Sequence, residues 1–338
     1  MKRIVLEPLF LHAELVSALL GRNRVRRSSP ASLRETVEGA LSDSAPTAYE
    51  LAEMLGEALP QLNIHELQRI FHEGSLRVGT LVAIEQEFTF ARDRSLEGPG
   101  SSPMRFTAPM STDADVHVHG IFNAERLAAA STAGNLVGER EVFVLGTIVR
   151  HSGRSIEIRP SFIGIRSYVK DDLDALFGVS ESLRVYPSEI DQFSGVDFAT
   201  PCTPSELQAL HHTSEDEVKR SIAALIGEPF VAKDWGGEKS DLYTSRTSIR
   251  GNHVASAWLF KGPGANGPMT VRTLGKRGDQ IDRLYSEPAD LLVLQHYREI
   301  ATAVVNMMSV YAHQMSRPRK FMILDGEDTA KILRAIAV

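Results

Sequence analysis

Two short segments in the last third of the chain combine carboxylates, glycines and a lysine. Glu238 and Asp241 follow the glycine pair Gly236 and Gly237, and Lys261 closes an apolar run twenty positions after Asp241. Carboxylate oxygens are the ligands that Mg²⁺ prefers, and a bound Mg²⁺ polarises a phosphoryl oxygen and lowers the pKa of an attacking water. A nearby lysine orients that water or neutralises charge on the phosphate. We therefore expect a site for phosphodiester hydrolysis, with Asp241 and Glu238 as metal ligands and Lys261 as a catalytic cation.

The elements that must position these residues alternate between helices and short strands. Ser214 precedes three acids and an amphipathic run, which is typical of a capped helix N-terminus. The strands show little polar alternation, so we expect a sheet buried on both faces, with its later strands parallel across helical crossovers. The expected strands are Phe230–Lys233, Asp241–Arg250, His253–Phe260, Asp290–Gln295 and Phe321–Leu324, and the expected later helices are Asp279–Tyr285, Glu299–Gln314 and Asp328–Ile336.

Asp241 begins the second of these strands and lies in the segment Gly236–Tyr243. Lys261 directly follows the third strand and lies in the segment Ala257–Gly262. With this arrangement, the chain from about residue 214 to residue 338 resembles the PD-(D/E)xK restriction-endonuclease-like superfamily. The resemblance implies an α/β domain with a mixed central sheet flanked by helices, and a nuclease that uses Mg²⁺, with Mn²⁺ as a substitute. It also implies that Gln280 and Tyr285, on the following helix, line the site and that Gln280 has a positioning role. A solvated helix face would carry the same pair.

The chain departs from the family pattern at one position. Members of the superfamily carry an acid two residues before the lysine, and here that position is Leu259. Two interpretations stay open at this point. Either the second metal-binding acid has moved, with Glu238 and the helix acid Glu217 as candidates, or the protein has kept the fold as a non-catalytic nucleic-acid-binding or sensor protein.

The charge of the chain is unevenly distributed. The 338 residues contain 37 Lys and Arg and 43 Asp and Glu, a net charge of -6, yet residues 206–338 contain 17 basic and 16 acidic residues, a net charge of +1. Residues 239–283 contain eight basic and three acidic residues, and phosphate contacts need such a patch. We expect nucleic acid as the partner, with DNA favoured and RNA open. The residues expected to contact it are Arg246, Arg250, Arg272, Lys276, Arg277 and Arg283.

The length predicts two or three domains. Residues 1–100 are predicted to form a mainly helical subdomain with a strand or hairpin at Leu76–Ala91, and a Gly/Pro/Ser-rich linker follows at Gly98–Pro103. Residues 104–205 are predicted to form a β-rich accessory or sensor domain, whose last part, from Pro187 to Pro204, is interpreted as a second linker. The N-terminal region is therefore expected to be an α+β accessory region, and residues 206–338 a nuclease-like catalytic domain.

A second group of chemically active side chains lies in the accessory region. A strand with a period of two would put Asp113, Asp115, His117 and His119 on one face, where they have the residue types of metal ligands. This pattern supports an alternative function, a metal-dependent hydrolase centred on His117 and His119. The exposed polar face of a half-buried strand would show the same alternation.

Composition also bears on the compartment and on the biological role. Cys202 is the single cysteine, which excludes an intramolecular disulfide and fits a reducing cytoplasm, and no apolar stretch reaches the roughly 18 residues of a membrane span. A nuclease with a large accessory region resembles restriction or anti-phage defence effectors, with the N-terminal region recognising a target or a partner protein that acts as trigger. Cutting both strands calls for two active sites, so we expect a homodimer.

Overall fold

The structure is a computed structural model, and it describes residues 3–27, 47–93, 95, 102–128, 136–169, 182–231, 239–264, 267–275, 279–314 and 317–336. The chain divides into two compact units, Met1–Glu181 and Ser182–Val338. Among the described helices there is none whose length and apolar character would let it cross a membrane.

The described residues of the first unit form seven strands and three α-helices. The strands are β1 (Arg3–Leu11), β2 (His65–Glu66), β3 (Leu81–Arg92), β4 (Pro103–Met110), β5 (Asp113–Asn123), β6 (Gly138–Ser152) and β7 (Ser155–Val169). The helices are α1 (Ala13–Arg27), α2 (Ala48–Ala58) and α3 (Leu67–His72). Thr47 caps α2 in a capping box with Glu50, which stabilises the start of this helix.

Five strands of the first unit close into a barrel. Strand β7 pairs in parallel with β5, while the pairs β5 with β4, β4 with β3, β3 with β6 and β6 with β7 are antiparallel. Alternate side chains fill the interior, as in other small barrels, and include Phe88, Phe106 and Phe122. Strand β1 extends this sheet along β7, and α1 and α2 pack beside it.

The second unit contains a four-stranded mixed sheet. Its described strands are β8 (Leu242–Ile249), β9 (Asn252–Lys261), β10 (Leu291–His296) and β11 (Lys320–Leu324). Its described helices are α4 (Pro204–Ala209), α5 (Glu215–Leu225), α6 (Asp279–Tyr285), α7 (Thr302–Ala312) and α8 (Gly326–Ile336). The order across the sheet is β11-β10-β9-β8, with β8 antiparallel to β9 and the other two neighbouring pairs parallel.

Helices cover both faces of this sheet. Trp258 and Phe260 of β9 pack in one core with Ile222 of α5 and Ile332 of α8. The alternate residues of β9, including Leu259, point to the opposite side, where α6 contacts β9 and α7 contacts β11. The second unit is thus α/β with a mixed central sheet flanked by helices, which confirms that part of the sequence-based fold prediction.

The main correction to the predicted elements concerns the strand expected at Phe230–Lys233. Phe230 and Val231 form no strand, and residues 232–233 lie outside the described part of the chain. The described order from residue 215 onwards is therefore α-β-β-α-β-α-β-α, with two strands before the first crossover helix instead of three. Helix Asp279–Tyr285 has the bounds that the sequence predicts.

The division into units differs from the three predicted domains. Strand β3 precedes the expected linker at residues 98–103, and it pairs with β4 and β6, which come after the start of that linker. One sheet therefore contains strands from both predicted domains. Farther along, the polar segment interpreted as a second linker belongs to the second unit, because Ile190 and Phe193 are buried in its core. The sequence also predicts helices at Leu33–Leu41 and Asp171–Leu176, and both segments lie outside the described residues.

Candidate functional site

The strands of the second unit bring several polar residues to one edge of the sheet. Parallel β9, β10 and β11 all end at this edge, and β8, which is antiparallel to β9, begins there. We call it the carboxyl edge. Asp241, Lys261, His296 and Asp325 lie at or next to these strand ends. In open α/β sheets, ligands bind outside the carboxyl ends of the strands.

Asp241 is fixed against the end of β9. Its backbone N–H donates to the Trp258 carbonyl at 2.8 Å, and its Oδ2 accepts from the Phe260 N–H at 2.6 Å. The carboxylate therefore ends the β8–β9 ladder, one residue before Lys261. Two residues that are twenty positions apart in sequence become neighbours because the β8–β9 hairpin folds back on itself, as the sequence predicts.

Leu259 is buried at the position where the related superfamily carries an acid. It lies on the same face of β9 as Lys261, two residues before it, and it is 5% exposed. An ionised carboxylate there would be desolvated unless it were paired. This observation bears on the two interpretations left open by the sequence, because a second metal-binding acid has to come from another element.

The start of α5 supplies a carboxylate to this edge, although it comes from Glu215 and not from Glu217. The Glu215 Oε2 accepts from the Gly262 N–H at 2.9 Å, whereas the Glu217 side chain is exposed and its N–H donates to the capping Ser214 Oγ. Position 262 must be small, since a Cβ there would be 2.9 Å from the Glu215 Cβ. The run of three acids signals a helix start, but it does not tell which acid faces the sheet.

The donor atoms at the carboxyl edge are suited to Mg²⁺ in their chemistry. Asp241 and Glu215 present carboxylate oxygens, and Mg²⁺ is commonly held by one or two carboxylates together with substrate phosphates and water. Glu238 lies outside the described residues. Within the described residues, no three His, Cys, Asp or Glu side chains form a group that could hold a metal by themselves. A metal here would therefore need oxygens from the substrate or from further residues.

Helix α6 separates the two residues that were predicted to line the site together. It leads from the carboxyl edge back to the start of β10, so Gln280, in its first turn, lies on the side of the carboxyl edge. The Gln280 Oε1 is buried and has no hydrogen-bond partner among the described residues. Tyr285 is buried farther along, where its hydroxyl donates to the Met308 carbonyl at 2.6 Å. Burial raises the pKa of Tyr285 well above its ordinary value. Tyr285 is thus a core residue, whereas Gln280 remains a candidate.

The predicted basic patch is divided by the hairpin. Arg250 is in the β8–β9 turn, with a φ of 49°, and forms an ion pair with Glu189 at 2.7 Å. The eight residues of β8 separate it from Asp241, a span on the order of 30 Å. Arg246, in the middle of β8, is 3.9 Å from a carboxylate oxygen of Glu228. Neither arginine lies at the carboxyl edge.

The remaining patch residues differ in their surroundings. Arg272 is exposed in the segment between β9 and α6, while Arg283 pairs with Asp279 at 3.8 Å and is half-buried. Lys276 and Arg277 lie outside the described residues. Arg319, a further basic residue of the second unit, is buried and donates to the carbonyls of Tyr285 and Glu287, so it connects the end of α6 to the start of β11.

The acidic side chain that follows β11 caps the start of α8. The Asp325 carboxylate accepts from the N–H groups of Glu327 and Asp328 at 2.9 and 3.0 Å, which caps the helix. Burial, followed by the charge of Asp325, raises the pKa of Asp328 to about 6. The Asp328 carboxyl therefore titrates just below neutral pH.

His296 is a residue that sequence reasoning missed. It is the last residue of β10, directly opposite Lys261 in the parallel register, and both of its ring nitrogens approach backbone carbonyls. The sequence feature that could have identified it is the polar pair Gln295 and His296, which follows the apolar run Leu291–Leu294.

The histidine pair of the first unit has the predicted strand geometry. In β5, Val116 and Val118 are buried, His117 is exposed and His119 is half-buried, with its Nε2 3.0 Å from the Ser155 Oγ. The polar face thus exists. The described side chains near it do not form a group of three potential metal ligands. An exposed strand face accounts for the alternation.

Comparison with protein-family models and with curated protein sequences finds no match for this chain.

Proposed function

We propose that the second unit is a metal-dependent endonuclease that hydrolyses phosphodiester bonds, with DNA favoured over RNA. The observation that carries this proposal is the meeting of Asp241 and Lys261 at the carboxyl edge, where the Asp241 carboxylate accepts a hydrogen bond from the N–H of the residue before Lys261. An acid beside a lysine at the end of a strand pair, followed by a crossover helix, is the arrangement that resembles the restriction-endonuclease-like fold.

The residues have separate roles in this proposal. Asp241, with Glu215 or the predicted Glu238, holds Mg²⁺ or Mn²⁺. When bound, such a cation polarises the phosphate and lowers the pKa of a water. Lys261 stabilises negative charge on the phosphate, because an ammonium group fixed at a strand end does not need to reorganise during the reaction. Gln280 orients the substrate through its amide oxygen, which is buried and has no hydrogen-bond partner in the described part of the chain.

The biological setting is part of the same proposal. The first unit would recognise a target or a triggering partner in the cytoplasm, and the second would cut nucleic acid as a restriction or anti-phage effector, as a homodimer where both strands are cut. Its support is the division of the chain into two units: the first has its own barrel core, and the second carries the acid and the lysine.

The burial of Leu259 favours one alternative, a non-catalytic protein that binds nucleic acid or senses a ligand. An apolar residue at 5% exposure replaces the acid expected beside Lys261, and the Asp241 carboxylate already accepts a backbone hydrogen bond. In this alternative the same edge would bind phosphates through Lys261 without cleaving them.

Two isosteric substitutions test the proposal. Asp241→Asn keeps an oxygen that accepts from the Phe260 N–H but removes the charge, and Lys261→Met keeps the length of the side chain. Both should lower cleavage of plasmid DNA in Mg²⁺ or Mn²⁺ by about 100-fold or more, with an unchanged melting temperature. The matched controls are Asp290→Asn and Lys320→Met, at the opposite edge of the same sheet, and they should cleave like the wild type.

The outcomes separate the candidate functions. Cleavage that persists in Asp241→Asn and Lys261→Met would refute the proposal. Binding of labelled DNA or RNA without cleavage in every metal, and in chelator, would favour the non-catalytic alternative. Hydrolysis that is lost only in His117→Ala would favour a metal-dependent hydrolase in the first unit.

A further inference from the structure

His296 contacts two chain segments at the carboxyl edge at once. Its side chain is 1% exposed. The ring Nδ1 lies 3.2 Å from the carbonyl oxygen of Lys261, and the ring Nε2 lies 3.2 Å from the carbonyl oxygen of Gly267. The imidazole thus bridges the last residue of β9 and a residue of the segment that follows β9.

The protonation state of the ring decides how many of these contacts are hydrogen bonds. A carbonyl oxygen only accepts, and a neutral imidazole carries one N–H, so one nitrogen donates while the other faces a carbonyl with its lone pair. An imidazolium carries two N–H groups and donates to both carbonyls. The geometry therefore suits the protonated ring better than the neutral one.

The surroundings of the ring oppose protonation. Burial is the largest cause that lowers the pKa of His296, and it outweighs the hydrogen bonds to the carbonyls of Gly267 and Lys261, which raise the pKa. The positive charges of Arg298 and Lys261 lower it further. Tyr297 packs edge-on against the ring, with centroids 4.7 Å apart, and its N–H donates to the Lys261 carbonyl at 3.2 Å. At neutral pH the ring thus has one of its two hydrogen bonds, and it gains the second on acidification.

We propose that His296 is a positioning residue for Lys261: it fixes the end of β9 to Gly267, and it does so more firmly when both ring nitrogens are protonated. The catalytic consequence rests on the proposed nuclease function, because it makes the precision with which Lys261 meets a phosphate depend on this bridge. The bridge itself does not depend on that function.

The bridge is tested first without any reaction. In protein labelled with ¹⁵N-histidine, the two ring nitrogens of His296, assigned by loss of signal in His296→Gln, should give one protonated and one unprotonated signal at pH 7.5. Both should become protonated on acidification. Hydrogen exchange of peptides from residues 258–269, corrected for the intrinsic rate, should slow by about threefold or more between pH 7.5 and an acidic pH at which the nitrogen signals show both ring nitrogens protonated. The slowing should be absent in His296→Gln and present in the control His313→Gln, at the residue that follows α7.

Nuclease kinetics then test the consequence for Lys261. His296→Gln should lower kcat for DNA cleavage by about tenfold while KM changes by less than twofold, since the bridge orients a group without binding the substrate. Equal exchange in wild type and His296→Gln at both pH values would overturn the bridge. A protein that lacks cleavage but keeps the pH-dependent exchange would support the bridge and refute the nuclease, so the two failures are distinguishable.

Discussion

Burial of Glu66 predicts an unusual pH dependence of stability in the first unit. Glu66 ends the short strand β2, its side chain is 8% exposed, and its Oε1 has no hydrogen-bond partner among the described residues. Burial, the largest cause, raises its pKa to about 8, although Arg166 lowers it and Glu85 raises it further. The folded unit therefore keeps a proton on Glu66 that the unfolded chain releases above about pH 4.5.

The sign and the size of the effect follow from this difference. Between the unfolded and folded pKa values the folded state binds more protons, so the free energy of unfolding falls as the pH rises. Each pH unit in this interval changes it by about 1.4 kcal/mol, or about 2 kcal/mol from pH 6 to pH 7.5. Glu66→Gln keeps the shape but cannot titrate. Over this interval the variant should therefore gain about 2 kcal/mol of stability relative to the wild type.

The assay must report the first unit separately. Both tryptophans, Trp235 and Trp258, belong to the second unit, so tryptophan fluorescence would follow the wrong transition. Urea-dependent hydrogen exchange of peptides from β3 and β6 reports the barrel instead. Glu57→Gln, at an exposed carboxylate of α2, is the matched control and should follow the wild type. Parallel pH profiles for wild type and Glu66→Gln would refute the reasoning.

Three further substitutions test the packing. Gly120→Ala would put a Cβ 2.2 Å from a backbone oxygen of β7, so it should lower barrel stability by about 3 kcal/mol in urea-dependent hydrogen exchange. The control Gly21→Ala, in open space on α1, should leave the stability unchanged. Equal stabilities of the two variants would contradict the close contact between Gly120 and β7. Tyr285→Phe removes the hydrogen bond to Met308 and should lower the free energy of unfolding of the second unit by about 1 kcal/mol, measured by tryptophan fluorescence in urea, without changing DNA cleavage. Lost cleavage at unchanged stability would instead show that Tyr285 belongs to the site. Gly262→Ala crowds the start of α5 and should cost about 1–2 kcal/mol in the same urea assay, and a wild-type transition would contradict the contact.

The local elements of the second unit were largely predictable because their signals are local. Helix α6 has the predicted bounds, and the apolar runs of β10 and β11 each predicted a strand within one residue of the observed ends. In the first unit, Thr47 and Glu50 form a capping box at the start of α2, and the two residue types stand at capping-box spacing in the sequence. Capping and apolar periodicity involve neighbours within a few positions, so a single sequence contains the information.

The candidate site was predictable only in part. The sequence identified Asp241 and Lys261 by residue type and spacing, and the hairpin brings them together. It did not distinguish Glu215 from Glu217, since both belong to the same acidic first turn and only the packing of α5 against Gly262 selects one. It also grouped Arg250 with Asp241, although the eight extended residues of β8 separate them.

The sequence by itself determined the residue types, the helix starts and the strands that carry the candidate chemistry. Only the tertiary structure decided which strand ends meet at the carboxyl edge, that the barrel closes through β5 with β7 and β3 with β6, and that His296 bridges Lys261 and Gly267. The physical reason is that these contacts join residues far apart in the chain, and their free energy depends on burial and on paired hydrogen bonds that form only once the sheets are assembled.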